Sequence, residues 1–229
     1  EIHRVEDTVD RVCRSFGAEH VEVFTIPSLI IASVRMPGGG HSQQMRRIYE
    51  TRNNMLLLEQ LNEISRELCC GQLSLSGLRG RILSARNARP YPFWLQLLGA
   101  AGAAGGFAVF FGGTLRDGLC AALAGVLVTV FTSRAPRFIN RMIITVLASL
   151  LAGVSGMALV RLGLGQHADK VMIGTIMLLI PGIALSNSIR DMLSGDVISG
   201  ALQLVQSLLL ALMIAFGFAL ALSLWGGAL

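Results

Sequence analysis

Lysine is almost missing from this chain. Of nineteen basic residues only Lys170 is a lysine, and the rest are arginine. No RNA-binding, zinc-finger or helix-turn-helix pattern accompanies those arginines, so a nucleic-acid partner is discounted. Arginine suits the phosphate headgroups of membrane lipid equally well. Charge is scarce too, at 14% of residues against 53% hydrophobic. A single soluble domain of this size carries more. Cys13, Cys69, Cys70 and Cys120 show no metal-ligand spacing, and the adjacent pair Cys69 and Cys70 is badly placed to bridge. Reduced thiols are the simple account. His3, His20, His41 and His167 stand isolated, so no metal site is expected. Gly38-Gly39-Gly40 has no following Lys-Ser/Thr, which removes a phosphate cradle and leaves a hairpin turn. No catalytic constellation emerges and no cofactor is expected, so the chain does not read as an enzyme. A signal peptide is also missing, and Glu1-Ile2-His3 reads as the interior of a longer sequence.

What charge there is lies at one end. Residues 1–92 hold twelve of the nineteen basic and ten of the fourteen acidic residues. The chain therefore divides into a soluble-like region and a membrane region. Ile2, Val5, Val9, Val12, Cys13 and Phe16 recur at helical spacing, and Gly17 sits where a left-handed cap is wanted. Residues 20–26, 29–36 and 42–49 read as three strands, separated by Pro27-Ser28 and Pro37 to Gly40. Leu57, Leu61, Ile64 and Leu68 mark another amphipathic helix. This predicts a cytoplasmic α+β domain over 1–75, with helices on one face of an antiparallel sheet. Ser76 is expected to cap a basic helix carrying Leu78, Ile82 and Leu83 with Arg79, Arg81, Arg86 and Arg89. Tyr91 and Trp94 follow, so 76–92 reads as an interfacial linker approaching a bilayer.

Residues 93–229 are expected to be a transmembrane domain of about five helices: 93–111, 118–133, 139–160, 171–189 and 199–225. The apolar run at 118–133 is short for a hydrocarbon core of about 30 Å. Arginine sets the orientation. Arg134, Arg137 and Arg141 fill the loop after it, whereas the loop before it holds only Arg116. The N-terminus, the Arg134–Arg141 loop and the Arg190–Asp196 loop are placed inside. The fourth span is interrupted by Pro181-Gly182 and leaves its apolar phase through Ser186, Asn187, Arg190, Asp191 and Asp196. Proline removes a backbone donor and clashes with the carbonyl one turn back. Such breaks are where secondary transporters often build substrate sites, although a kinked span followed by an ordinary loop explains the pattern as well. Arg190 and Asp191 are adjacent, hence about 100° apart on a helix, and need different partners.

The series Pro181-Gly182, Asn187, Arg190-Asp191, Gly195-Asp196 and Ser199-Gly200 resembles the bacterial threonine/serine exporter family. Arg4-Val5-Glu6-Asp7-Thr8, Val23-Phe24 with Pro27, Arg46-Arg47-Ile48, and Phe111-Gly112-Gly113 with Asp117 are similar to it as well. The resemblance implies a cytoplasmic domain joined to a multi-span exporter in the bacterial inner membrane. A chain ending after five spans is similar to the N-terminal component of a split exporter, whose other membrane subunit completes it. Split members are associated with succinate or other dicarboxylates, single-chain members with threonine and serine. The family would have a short helix before Glu1. On this reading Pro181, Gly182, Ser186, Asn187, Arg190, Asp191, Asp196 and Asp117 are candidates for contact with a small organic acid or hydroxy amino acid. Arg4, Glu6, Asp7 and Thr8 are candidates for a subunit or gating contact, their charges being equally explained by a solvated helix face. The alternative function is a regulatory or assembly subunit in a hetero-oligomer, or a homo-oligomer that covers its own apolar faces.

Overall fold

The computed structural model describes residues 2–49, 54–88, 91–136 and 139–225. Glu1, Arg89, Pro90 and Arg137, all used in the sequence reading, lie outside the described residues. The chain forms two compact units. The first comprises residues 1–90 and 183–205, and the second residues 91–182 and 206–229.

The first unit begins with α1 (Ile2–Ser15). Its exposed face is laced by two ion pairs with the acid four residues before the base: Asp7 to Arg11 at 2.9 Å and Asp10 to Arg14 at 2.8 Å. That order favours a helix. Gly17, at φ 86°, ends it. Strands β1 (His20–Ile26), β2 (Leu29–Arg35) and β3 (His41–Arg47) form an antiparallel meander. Gly38 and Gly39 turn it at φ 91° and 89°, conformations that need no side chain. Phe24, Ile31 and Met45 lie in register across the sheet. On β1, Val21 and Thr25 are buried, whereas Phe24 on the other face is 51% exposed. Helix α1 packs on β1 and on α2 (Met55–Cys69), and α2 packs on α3 (Leu75–Arg86). The cap of α3 is Ser74, not Ser76. Its oxygen accepts from Gly77 N, so the helix starts a residue earlier than its basic stretch suggested. Arg81 reaches Glu67 at 3.0 Å and ties α3 to α2. Helix α8 (Gly182–Leu193) and the first turns of α9 (Val197–Trp225) complete the unit, joined at Gly195 with φ 101°.

The second unit holds α4 (Phe93–Phe110), α5 (Leu115–Arg134), α6 (Arg141–Arg161), α7 (Ala168–Ile176) and the remainder of α9. Helix α4 packs on α5 and α7, and α6 packs on the same two. Small residues set the separations. One cluster joins Ala104, Ala108, Cys120, Ala121 and Val171, another Val128, Ala148, Ala152, Ile214 and Phe218. A Cβ on Gly105 would stand 2.9 Å from the Gly118 carbonyl oxygen, and one on Gly118 3.2 Å from that of Gly105. Where lipid is the solvent, close backbone approach of this kind is what holds helices together.

Among the described residues four helices, α4, α5, α6 and α9, are long and apolar enough to cross a membrane. The helix at the expected 118–133 span is longer than its apolar run. Thr114 and Asp117 form a capping box that starts α5 at Leu115, giving 20 residues, about 30 Å at 1.5 Å per residue. The expected fourth span is two short helices of 9 and 12 residues. Helix α7 stops at Ile176, five residues before the proline. The ring of Pro181 would clash with the Met177 carbonyl one turn back, and the residue before a proline avoids helical geometry. The chain instead tightens, with Leu178 N donating to Thr175 O and Leu179 N to Ile176 O.

Gly174 lies against the Ala104 carbonyl and Ala108, so Gly174→Val should overpack the α4–α7 contact. We expect a loss of about 1–3 kcal/mol, read as a lowered thermal midpoint in detergent. Gly102→Ala, with nothing within 4 Å of the added carbon, should leave the midpoint in place.

Candidate functional site

Each unit has one buried aspartate that gathers backbone and side-chain donors. In the first unit it is Asp191, 1% exposed on α8. Its Oδ1 accepts from Ile2 N at 3.1 Å, and its Oδ2 from Gln203 Nε2 at 3.1 Å. One carboxylate thus joins the start of α1, α8 and the first turns of α9. The turn beneath it is closed by Asp196 N donating to Asp191 O at 2.9 Å. Gly200 lets that turn pack, since a Cβ there would stand 2.6 Å from Ser188 O.

Another tie runs alongside. Ser199 Oγ donates to Thr25 O at 2.9 Å, and Thr25 N donates to Glu6 Oε1 at 2.8 Å. Helix α1, strand β1 and helix α9 are thereby linked through one backbone residue. The Glu6 carboxyl is pushed above its ordinary value of 4.5, chiefly by burial. Asp196 adds repulsion, and the Thr25 N–H partly offsets both.

The other expected positions on α8 divide by burial. Ser188 is fully buried and its hydroxyl returns to Leu185 O within its own helix. Asn187 is half-buried, while Ser186 and Arg190 are exposed. Asp191 buried beside Arg190 exposed is the angular separation that adjacency imposes. Pro181 and Gly182 belong to the second unit. There Gly182 N donates to Ile180 O at 2.9 Å. On α1, Asp7 is paired with Arg11, and Thr8 Oγ1 donates to Arg4 O at 2.7 Å. Arg4, Asp7 and Thr8 line a polar cavity of about 280 Å³ with Asn62, Ser65 and Arg66 of α2.

In the second unit the gathering residue is Asp117, with no exposure at all. Oδ1 accepts from Gln166 N at 2.6 Å and His167 N at 2.9 Å. Oδ2 accepts from Thr114 N at 2.9 Å and Thr114 Oγ1 at 2.8 Å, and lies 3.0 Å from His167 Nδ1. The α4–α5 connection and the α6–α7 connection are pinned together by one side chain. Thr114-x-x-Asp117 carries a capping signature that sequence alone could have flagged. His167, fifty residues on, gave no such signal, and neither did Gln203. Among the described residues no group of three or more His, Cys, Asp or Glu could hold a metal ion.

A family model described as "Putative threonine/serine exporter" matches residues 1–225. No curated protein matches the chain, and no solved structure does.

Asp191→Ala would leave the Ile2 N–H and the Gln203 amide without their acceptor. A loss of about 1–3 kcal/mol is expected, together with faster proteolysis of residues 2–15. Asp191→Asn keeps one acceptor oxygen and should lose less. For Glu6 the sign follows from its raised value. Its contribution to stability is present at acidic pH and disappears as pH rises through the folded value. Wild type should therefore fall below Glu6→Gln in thermal midpoint at neutral pH, and the gap should close toward pH 4.5.

Proposed function

Because the chain belongs to the threonine/serine exporter family, we propose that it is a multi-pass membrane exporter moving small threonine- or serine-like compounds out of a bacterial cytoplasm. The match over residues 1–225 carries this reading. The four apolar helices agree with it in supplying a lipid-embedded body. Arg134 and Arg141 at the α5–α6 connection favour the cytoplasmic side for that end, and the N-terminal α+β region shares it. The same reading takes the transport to be secondary rather than nucleotide-driven.

Substrate recognition is assigned to α8. Arg190 is an exposed guanidinium suited to a carboxylate in bidentate geometry. Ser186 and Asn187 add hydrogen-bonding groups a turn away. Asp191 and Asp196 hold the α8–α9 turn in place behind them. The break at Pro181-Gly182 supplies backbone outside regular helix pairing, a resource that transporter sites use. Arg4, Glu6, Asp7 and Thr8 are assigned to a subunit or gating contact on α1, which the Glu6–Thr25–Ser199 tie fixes to the start of α9. Another membrane subunit, or another copy of the chain, covers the apolar faces of the helices.

The test is efflux from proteoliposomes containing the chain alone, loaded in parallel with threonine, serine and succinate. Efflux of the hydroxy amino acids above protein-free vesicles is expected, with Arg190→Ala reducing it at least about tenfold, as loss of a charge-assisted pair implies. Efflux of succinate alone would transfer the chain to dicarboxylates. No efflux until a partner subunit is added would make it an assembly subunit.

A further inference from the structure

The Asp117 cluster does more than fasten two loops. A carboxylate only accepts, so the His167 nitrogen facing it, Nδ1, must carry the hydrogen. The neutral imidazole then has its lone pair on Nε2. The ring is 50% exposed, whereas the carboxylate is not exposed at all. A buried anion is thus coupled to solvent through a single side chain that can take up a proton. Four N–H and O–H donors other than the imidazole hold the two oxygens of Asp117. Those donors keep the anion where it is whichever form the ring adopts.

We propose that His167 is a proton-binding residue of the transporter, and that the rate of transport depends, through His167, on pH at the membrane face opposite the α5–α6 connection. The step is simple: water delivers a proton to Nε2, Nδ1–H stays on Asp117, and the pair changes from a net negative charge to a neutral ion pair. Position supports the function. Helix α5 starts at this cluster and ends at Arg134, about 30 Å away by helical rise. The cluster thus sits at the end of the helix that lacks the arginine-rich connection. An ionisable pair at the end of a membrane-length helix is a candidate functional group.

The surrounding charges are few. On α5 they are Arg116, exposed, and the buried Cys120 thiol beside Asp117. On α7, Asp169 and Lys170 are paired with each other at 3.0 Å. On α6 Arg161 lies over the Trp225 ring at 5.2 Å. Helix α4 carries no ionisable side chain. His167 is the one group among them whose side-chain type titrates between about pH 5 and 8.

The proposal rests on the export reading, and its test separates the two. Threonine exchange is measured in proteoliposomes of the full chain, with only the pH of the relevant face varied between about 5.5 and 8. Wild-type exchange should differ at least about fivefold between the two ends of that range. His167→Gln keeps a donor toward Asp117 and takes up no proton, so its profile should be flat. A His167→Gln profile that follows wild type, or a wild type indifferent to pH, overturns the proposal. Nitrogen NMR of the histidine-labelled chain in nanodiscs, assigned with the same variant, reads the site without transport. A His167 ring that takes up no proton across that range overturns it as well, and one that titrates supports it even if no threonine moves. Absence of all exchange in wild type overturns the export reading alone.

Discussion

Buried N–H groups outside regular helix must find an acceptor, and in this chain two aspartates supply one. An apolar protein interior offers none, and neither does hydrocarbon, where an unpaired amide costs several kcal/mol. Asp117 takes the Gln166, His167 and Thr114 amides of two connections. Asp191 takes the Ile2 amide and the Gln203 side chain. Only four acidic residues occur after residue 92, and two of them have this task. Scarcity of charge and its placement are one fact: an anion is kept where it satisfies several donors at once.

The same economy explains the packing. The helices of the second unit meet through Ala104, Ala108, Ala121, Ala148 and Ala152, with Val128, Val171, Ile214 and Phe218 filling the spaces between them. Large apolar residues such as Leu119, Leu123 and Leu127 line the outside of α5 instead. That inverts a water-soluble protein and suits a lipid surround, where bulk belongs outside and close approach inside. Arg134 stands exposed in the last turn of the same helix.

Local features were legible in the sequence because one residue type decides each. Gly17 ends α1, Gly38 and Gly39 turn the sheet, and the 3.6 period drew α1 and α2. The break near Pro181 was legible too, but its position was not. The helix ends where the proline's clash falls, at the carbonyl four residues earlier, and not at the proline itself. The start of α5 was missed because hydropathy begins at Gly118, whereas the helix is initiated by polar capping at Thr114. Among the described residues four helices are long and apolar enough to cross a membrane, and the fifth expected stretch is the broken pair α7 and α8. Long-range partners were out of reach. Nothing at Asp117 announces His167, and nothing at Asp191 announces Ile2, because each pairing is made by the fold and not by spacing.

The Asp117 clasp also has a consequence in time. Its carboxylate leaves the ribosome 49 residues before Gln166. At about 5–20 residues per second the partner follows roughly 2–10 s later. Through that interval Thr114 N and Oγ1 can already hold one carboxylate oxygen, Oδ2, while Oδ1 still waits for the Gln166 and His167 amides. Half of the clasp thus forms at the start of α5 at once, and half waits until the α6–α7 connection arrives. The order of synthesis therefore sets the order in which the two oxygens of Asp117 find their partners.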